Sequence, residues 1–82
     1  MNRLLNALLK RGYNAEIRHD LDDDYNDTFI DVYGISDDYV QIEFSEQGNV
    51  KGTLLSLDSS ELFIESRKVN DVATAIESLK NN

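Results

Sequence analysis

The sequence predicts an α+β fold: an antiparallel sheet of four or five strands in meander order, flanked by an N-terminal and a C-terminal helix packed on one face. Three observations point there. Apolar residues recur at helical spacing only near the two ends of the chain. Between those ends they alternate every second residue, the period of a strand with one face buried. The alternating runs are joined by short polar turns, which allow antiparallel neighbours and leave no room for crossover connections. At 82 residues the chain makes a single domain, 1–82, with a core just large enough to fold unaided.

Residues 2–11 read as the first helix. Leu4, Leu5, Leu8 and Leu9 form one apolar stripe, and Lys10 and Arg11 place cations in the last turn, where the helix dipole is negative. Gly12 suits the left-handed residue that ends a helix. Tyr13 to His19 alternates as a half-buried strand, with Tyr13, Ala15, Ile17 and His19 on one face. Asp20 to Asp27 is expected to be a polar loop. Thr28 to Tyr33 is the second strand, with Ile30 and Val32 facing away from Phe29, Asp31 and Tyr33. Gly34 to Asp38 is a turn.

Tyr39 to Ser45 is the third strand, pointing Val40, Ile42 and Phe44 inward. Glu46 to Asn49 is a turn in which Gly48 is available for positive φ. Val50 to Leu57 is the fourth strand. Its alternation is blurred by Leu54-Leu55, and if it forms a loose arm the strands number four. After the turn Asp58-Ser59-Ser60, the fifth strand runs from Glu61 to Arg67, with Phe63 placed either over an edge or outward. Asn70 reads as the N-cap of the last helix, and Val72, Ala75, Ile76 and Leu79 make its apolar stripe up to Lys80.

Charge narrows the function. Sixteen acids against eight bases leave a net charge of −8, which argues against a protein that binds nucleic acid directly, because phosphate neutralisation needs a Lys/Arg surplus. No apolar run has the length of a membrane span, and Met1 to Lys10 lacks the features of a signal peptide, so a cytoplasmic protein is expected. The absence of cysteine excludes disulfides, thiolate metal sites and thiol nucleophiles. The imbalance is local. Between Glu16 and Glu46 eleven acids face one base, Arg18, so that stretch carries −10 and the remainder +2. Like charge at this density weakens the compact state, which points to a recognition surface as the alternative to a solvated loop.

Other constellations are weaker. Asp20 to Asp31 places Asp20, Asp22, Asp24 and Asp31 at positions 1, 3, 5 and 12 of a calcium loop. Tyr25 stands where the sharp turn needs glycine, Asp31 is too short for a bidentate ligand, and the flanks read as strands, so no metal is assigned. His19 has no nucleophile at a recognisable spacing and reads as an ordinary strand-end residue. The glycines form no phosphate loop. No enzyme activity and no cofactor are expected. Tyr13, Tyr25, Tyr33 and Tyr39 interleave with the acids, in positions suited to sheet packing or to an interface.

Met1-Asn2, Leu5, Lys10 and Tyr13 at the start, then Thr28-Phe29-Ile30-Asp31-Val32-Tyr33, Asp37-Asp38-Tyr39-Val40, Ile42, Ser45 and Glu46, carry a resemblance. Over residues 1–49 the chain resembles small acidic phage anti-CRISPR proteins that inhibit the RNA-guided nuclease of type II systems. The resemblance implies a small α/β inhibitor whose acidic loop imitates DNA and occupies the arginine-rich PAM-reading site. It also implies that Asp37 and Asp38 correspond to the family's acidic turn. The chain departs from the family in reading Ile35-Ser36-Asp37-Asp38 where the family turn has Gly and Asn, and in lacking its acidic C-terminal extension.

The expected function is a non-catalytic acidic binding protein, an inhibitor that mimics nucleic-acid charge and blocks the basic site of a nucleic-acid-handling protein. Its binding surface is expected to comprise Asp22, Asp23, Asp24, Tyr25, Asp27, Asp37, Asp38, Tyr39, Glu43 and Glu46. Carboxylates meeting arginines make charge-assisted hydrogen bonds, about twice as strong as neutral ones. The partner implied by the resemblance is a CRISPR nuclease, met in the host-cell cytoplasm if the chain is phage-encoded. The alternative is a housekeeping interaction domain that forms a homo-oligomer by pairing an edge strand, Glu61 to Arg67 or Tyr13 to His19, across a two-fold axis.

Overall fold

The computed structural model describes residues 1–21, 26–35 and 39–80. Helix α1 (Asn2–Lys10) buries Leu4 and Leu8. It ends in a Schellman motif: Gly12, at φ +89°, donates its N–H to Leu9, and Tyr13 donates to Leu8. Glycine supplies the positive φ at no steric cost, as the sequence predicts for this position.

Five strands follow among the described residues: β1 (Asn14–Leu21), β2 (Asn26–Tyr33), β3 (Val40–Gln47), β4 (Val50–Ser56) and β5 (Glu61–Ile64). They form one antiparallel sheet in sequential order. The turn from β3 to β4 is a two-residue hairpin between the paired Gln47 and Val50, with Gly48 at φ +63° in the position a type II′ turn reserves for glycine. Val50–Ser56 is therefore an integral strand and not a loose arm.

Register puts one apolar row across the whole sheet: Ile17, Ile30, Ile42, Leu55 and Leu62 are successive cross-strand partners. Ala15, Val32 and Val40 form a second row on the same face. Leu4 and Leu8 of α1, and Val72 and Ile76 of α2 (Val69–Lys80), close over this face to complete the core. Each fully buried aliphatic side chain contributes about 1.5–3 kcal/mol of gross stabilisation. The helices are tied to each other at their polar margin. Arg11 donates to Asn70, Tyr13 donates to Glu77, and the Lys80 ammonium lies over the Tyr13 ring.

Three boundaries differ from the sequence expectation. The stretch from Asp20 to Asp27 is not wholly loop: pairing continues outward through Asp20 with Asp27 and Leu21 with Asn26. Inward-facing backbone groups gain partners by extending the pair, and the register set by Ile17 and Ile30 carries on through the polar residues as far as Leu21 and Asn26. Strand β5 stops at Ile64 and does not reach Arg67. The segment beyond it is held instead by Thr53, which donates to the Ser66 carbonyl at 2.7 Å, and by Arg67, which donates to the carbonyls of Gly52 and Ser45 at 3.0 Å each. Asn70 lies inside α2 and does not cap it. The first helical bond runs from Val72 N–H to Lys68, and Ser66 Oγ accepts from Lys68 N–H while donating to Asp71.

Candidate functional site

The two-residue period that buries one face of the sheet leaves the other without a helix. A polar row crosses it, one residue out of phase with the apolar row: Glu16, Asp31, Gln41, Ser56 and Glu61 are successive partners. Beside it stand Arg18, Phe29, Glu43, Leu54 and Phe63. Phe63 packs its ring against Gly52, so it covers its own sheet and does not project from it.

The centre of this face is organised by Arg18. Its Nε donates to Asp31 Oδ2 at 3.1 Å, its Nη2 donates to Gln41 Oε1 at 2.8 Å, and its guanidinium lies 4.7 Å from the Phe29 ring centroid. One side chain thus reaches across β2 to β3, covers Phe29 and neutralises Asp31. Asp31 is 4% exposed although it sits on the open face. Its Oδ1 has no hydrogen-bond partner among the described residues. Asp31, one of the eleven acids in the anionic stretch, is therefore spent inside the fold. It also stands mid-strand, bonded to Arg18, where the calcium-loop spacing would need a free ligand.

At one end of the face lies an aromatic and acidic group. Tyr33 and Tyr39 are 36% and 41% exposed, and their rings stand 5.7 Å apart at 51°. The Tyr33 hydroxyl donates to Glu16 Oε1 at 2.7 Å. That bond to a carboxylate pushes the Tyr33 pKa up to about 12, with desolvation adding to it. The neutral phenol is the favoured form, so its contribution to stability is complete below the ordinary value of 10.0 and disappears as pH rises through about 12. Tyr13 is raised likewise by its bond to Glu77. In a spectrophotometric titration of tyrosinate, Tyr33→Phe is expected to remove an ionisation at about pH 12. No change there would show that the bond to Glu16 does not persist in solution.

The expected binding residues are distributed unevenly. Tyr39 is exposed beside Tyr33. Glu43 is half-buried on the open face opposite Leu54 and is engaged in an intramolecular interaction. Glu46 is exposed, but it stands on the other side of the sheet, opposite Lys51. Asp27 belongs to β2 through its backbone. Asp22, Asp23, Asp24, Tyr25, Asp37 and Asp38 lie outside the described residues. The points where their segments join the sheet are described. Leu21 and Asn26 flank the first, and they sit at the opposite end of β2 from Tyr33, after which the second begins. Eight extended residues separate those ends by about 24 Å. The two acidic segments are therefore anchored at opposite ends of the sheet.

Glu16, Arg18 and Tyr33 are the residues of this face that the expected binding surface leaves out. A signal for each was present: Glu16 and Tyr33 have the strand parity of Asp31, and Arg18 is the one base of the anionic stretch. His19 Nδ1 meets Thr28 Oγ1 at 3.1 Å in an exposed cross-strand pair. Among the described residues no three His, Asp or Glu side chains are grouped to hold a metal ion, and no helix is long and apolar enough to cross a membrane.

Fold and face together define a small α+β protein whose five-stranded meander is covered by helices on one side and open on the other. Comparison with protein families, with curated proteins and with solved structures gives no match.

Proposed function

We propose that the protein is a non-catalytic acidic inhibitor that presents carboxylates and exposed tyrosines to the basic site of a nucleic-acid-handling protein. The observation that carries this reading is the segregation of charge, with −10 confined to residues 16–46 of a chain whose net charge is −8. The Tyr33–Tyr39–Glu16 group supports it. Exposed Tyr rings offer a stacking surface for a partner's guanidinium, and Glu16 sets a carboxylate beside them. Asp37 and Asp38 directly precede Tyr39 in the chain. Such a surface meets a cationic site with charge-assisted bonds and draws it in at long range, so association is fast at low salt. The resemblance over residues 1–49 favours a type II RNA-guided nuclease as the instance to try first.

The test is competition. Purified guide-loaded type II nuclease is mixed with a fluorescent PAM-containing duplex, and the protein is titrated in at several salt concentrations. Displacement that weakens steeply as salt rises is expected. The double variant Asp37→Asn/Asp38→Asn should lose about a hundred-fold or more in affinity, two charge-assisted contacts being worth roughly 1.5–3 kcal/mol each, and should flatten the salt dependence. Tyr39→Ala should raise the off-rate with little change in salt slope. Failure to displace DNA from that nuclease, and from other basic nucleic-acid-binding proteins of the host, would remove the proposal.

A further inference from the structure

We infer that the β1 edge is a self-association site, through which two copies pair their sheets across a two-fold axis centred on Ile17. Strand β1 is the first strand of the sheet order and eight residues long. Its register with β2 runs unbroken from Asn14 to Leu21, so no bulge turns the edge away. It contains neither proline nor lysine, the residues that commonly blunt an edge. Among the described residues no backbone hydrogen bond is made to its outer side. The opposite edge differs: β5 has four residues, and the chain beyond it folds back onto Gly52 and Ser45.

Charge and the length of pairing select the register together: centring on Ala15 or on His19 also avoids like-charge pairs, but it joins only the first or the last part of β1. A two-fold axis perpendicular to the sheet pairs β1 with itself about a single residue. Centring on Glu16 sets Glu16 against its own copy. Centring on Arg18 sets Arg18 against itself and Glu16 against Asp20. Like charges directly opposite are destabilising in an antiparallel pair. Centring on Ile17 avoids every such conflict. Glu16 then faces Arg18 of the second copy, twice over, while Ala15 faces His19 and Asn14 faces Asp20. Arg18 already carries Asp31, so repulsion avoided sets this register more than new attraction does. Ile17, half-buried and packed against the core, meets Ile17 of the second copy and extends the apolar row across the axis.

The dimer stands independently of the partner proposed above, but it changes what a partner meets. The axis reverses one copy against the other. Each end of the ten-stranded sheet then carries the β1–β2 tip of one copy and the Tyr33–Tyr39 group of the second. Asp20 of one copy would be aligned through Asn14 with Tyr33 of the other, two strand spacings or about 10 Å away. The acidic segments that one chain anchors at opposite ends are brought to the same end by two.

The absence of cysteine makes the register directly readable. Residues directly opposite on paired strands have Cα atoms about 4.5–5.5 Å apart, within the range a disulfide spans. Sedimentation of the wild-type protein should give twice the 9.3 kDa of one chain. Under mild oxidation Ile17→Cys should form a covalent dimer rapidly. Ala15→Cys alone and His19→Cys alone should not, and an equimolar mixture of those two should yield the mixed disulfide. The mixture keeps the test decisive if Ile17→Cys folds poorly by circular dichroism. A 9.3 kDa species at every concentration, or cross-linking of Ala15→Cys alone as fast as Ile17→Cys, would overturn the inference.

Discussion

Gly52→Ala is expected to destabilise the protein by about 3 kcal/mol, the upper part of the range for forcing extra atoms into a packed site. A Cβ built there would stand 2.1 Å from the Ile64 carbonyl oxygen and 2.6 and 2.9 Å from two atoms of the Phe63 ring. The ring can turn aside. The carbonyl cannot, because it belongs to the end of β5, and Gly52 and Thr53 hold the segment that follows through Arg67 and Ser66. For a domain of this size the change corresponds to a fall of roughly 12–24 °C in Tm. Gly48→Ala is the control: that site has open space and only the positive φ of +63° to oppose a side chain, at about 1–2 kcal/mol. Thermal unfolding by circular dichroism should rank Gly52→Ala clearly below Gly48→Ala. Equal effects would mean that β4 and β5 do not approach as described.

Arg18→Met is expected to cost about 2–3 kcal/mol, because it strands a buried carboxylate. Asp31 would lose the donor to Oδ2, its Oδ1 having no hydrogen-bond partner among the described residues, and Phe29 would lose its cover. Arg18 keeps 36% of its side chain in solvent, so the loss stays below that of a fully enclosed pair. The double variant Arg18→Met/Asp31→Leu should recover most of the stability, since replacing both charges removes the unmet desolvation that replacing one creates. Urea unfolding of the four proteins in the cycle measures this coupling. If the single change lies within about 0.5 kcal/mol of wild type, as exposed substitutions do, Arg18 is a solvated cation and the centre of the face is open.

That second result bears on how much of the site was legible. The acids could be counted, and their concentration in one stretch is a property of composition. Whether each is available is not. Asp31 is hidden beneath Arg18, Glu43 is engaged, and Glu46 stands on the other side of the sheet facing Lys51. Tyr39, expected in the binding surface, is exposed, and Tyr33 emerged as its neighbour once β2 and β3 were paired.

The fold was more readily legible than the site. Strand parity follows from a local rule, because successive side chains point to opposite faces. Placing Ile17, Ile30, Val32, Val40 and Ile42 on the face of their strand's apolar residues needed only the alternation around each of them, whereas between Leu54 and Leu55 the pairing with β3 decided. Gly12 and Gly48 were placed in turns for the positive φ they adopt. The errors lie at element ends, where competing partners decide. Hairpin pairing overran the polar stretch at Asp20 and Asp27, and contacts of Arg67 and Thr53 ended β5 early.

By itself, then, the sequence determined which residues share a face, where the chain turns, and that its carboxylates crowd into one part. Tertiary structure alone decided that Arg18 bridges three strands, that Glu16 and the two tyrosines assemble at one end, and that the acidic segments depart from opposite ends of β2. The physical reason is range. Periodicity and turn chemistry act over a few neighbouring residues, whereas the partner of a charge is chosen by register between strands that lie far apart in the chain.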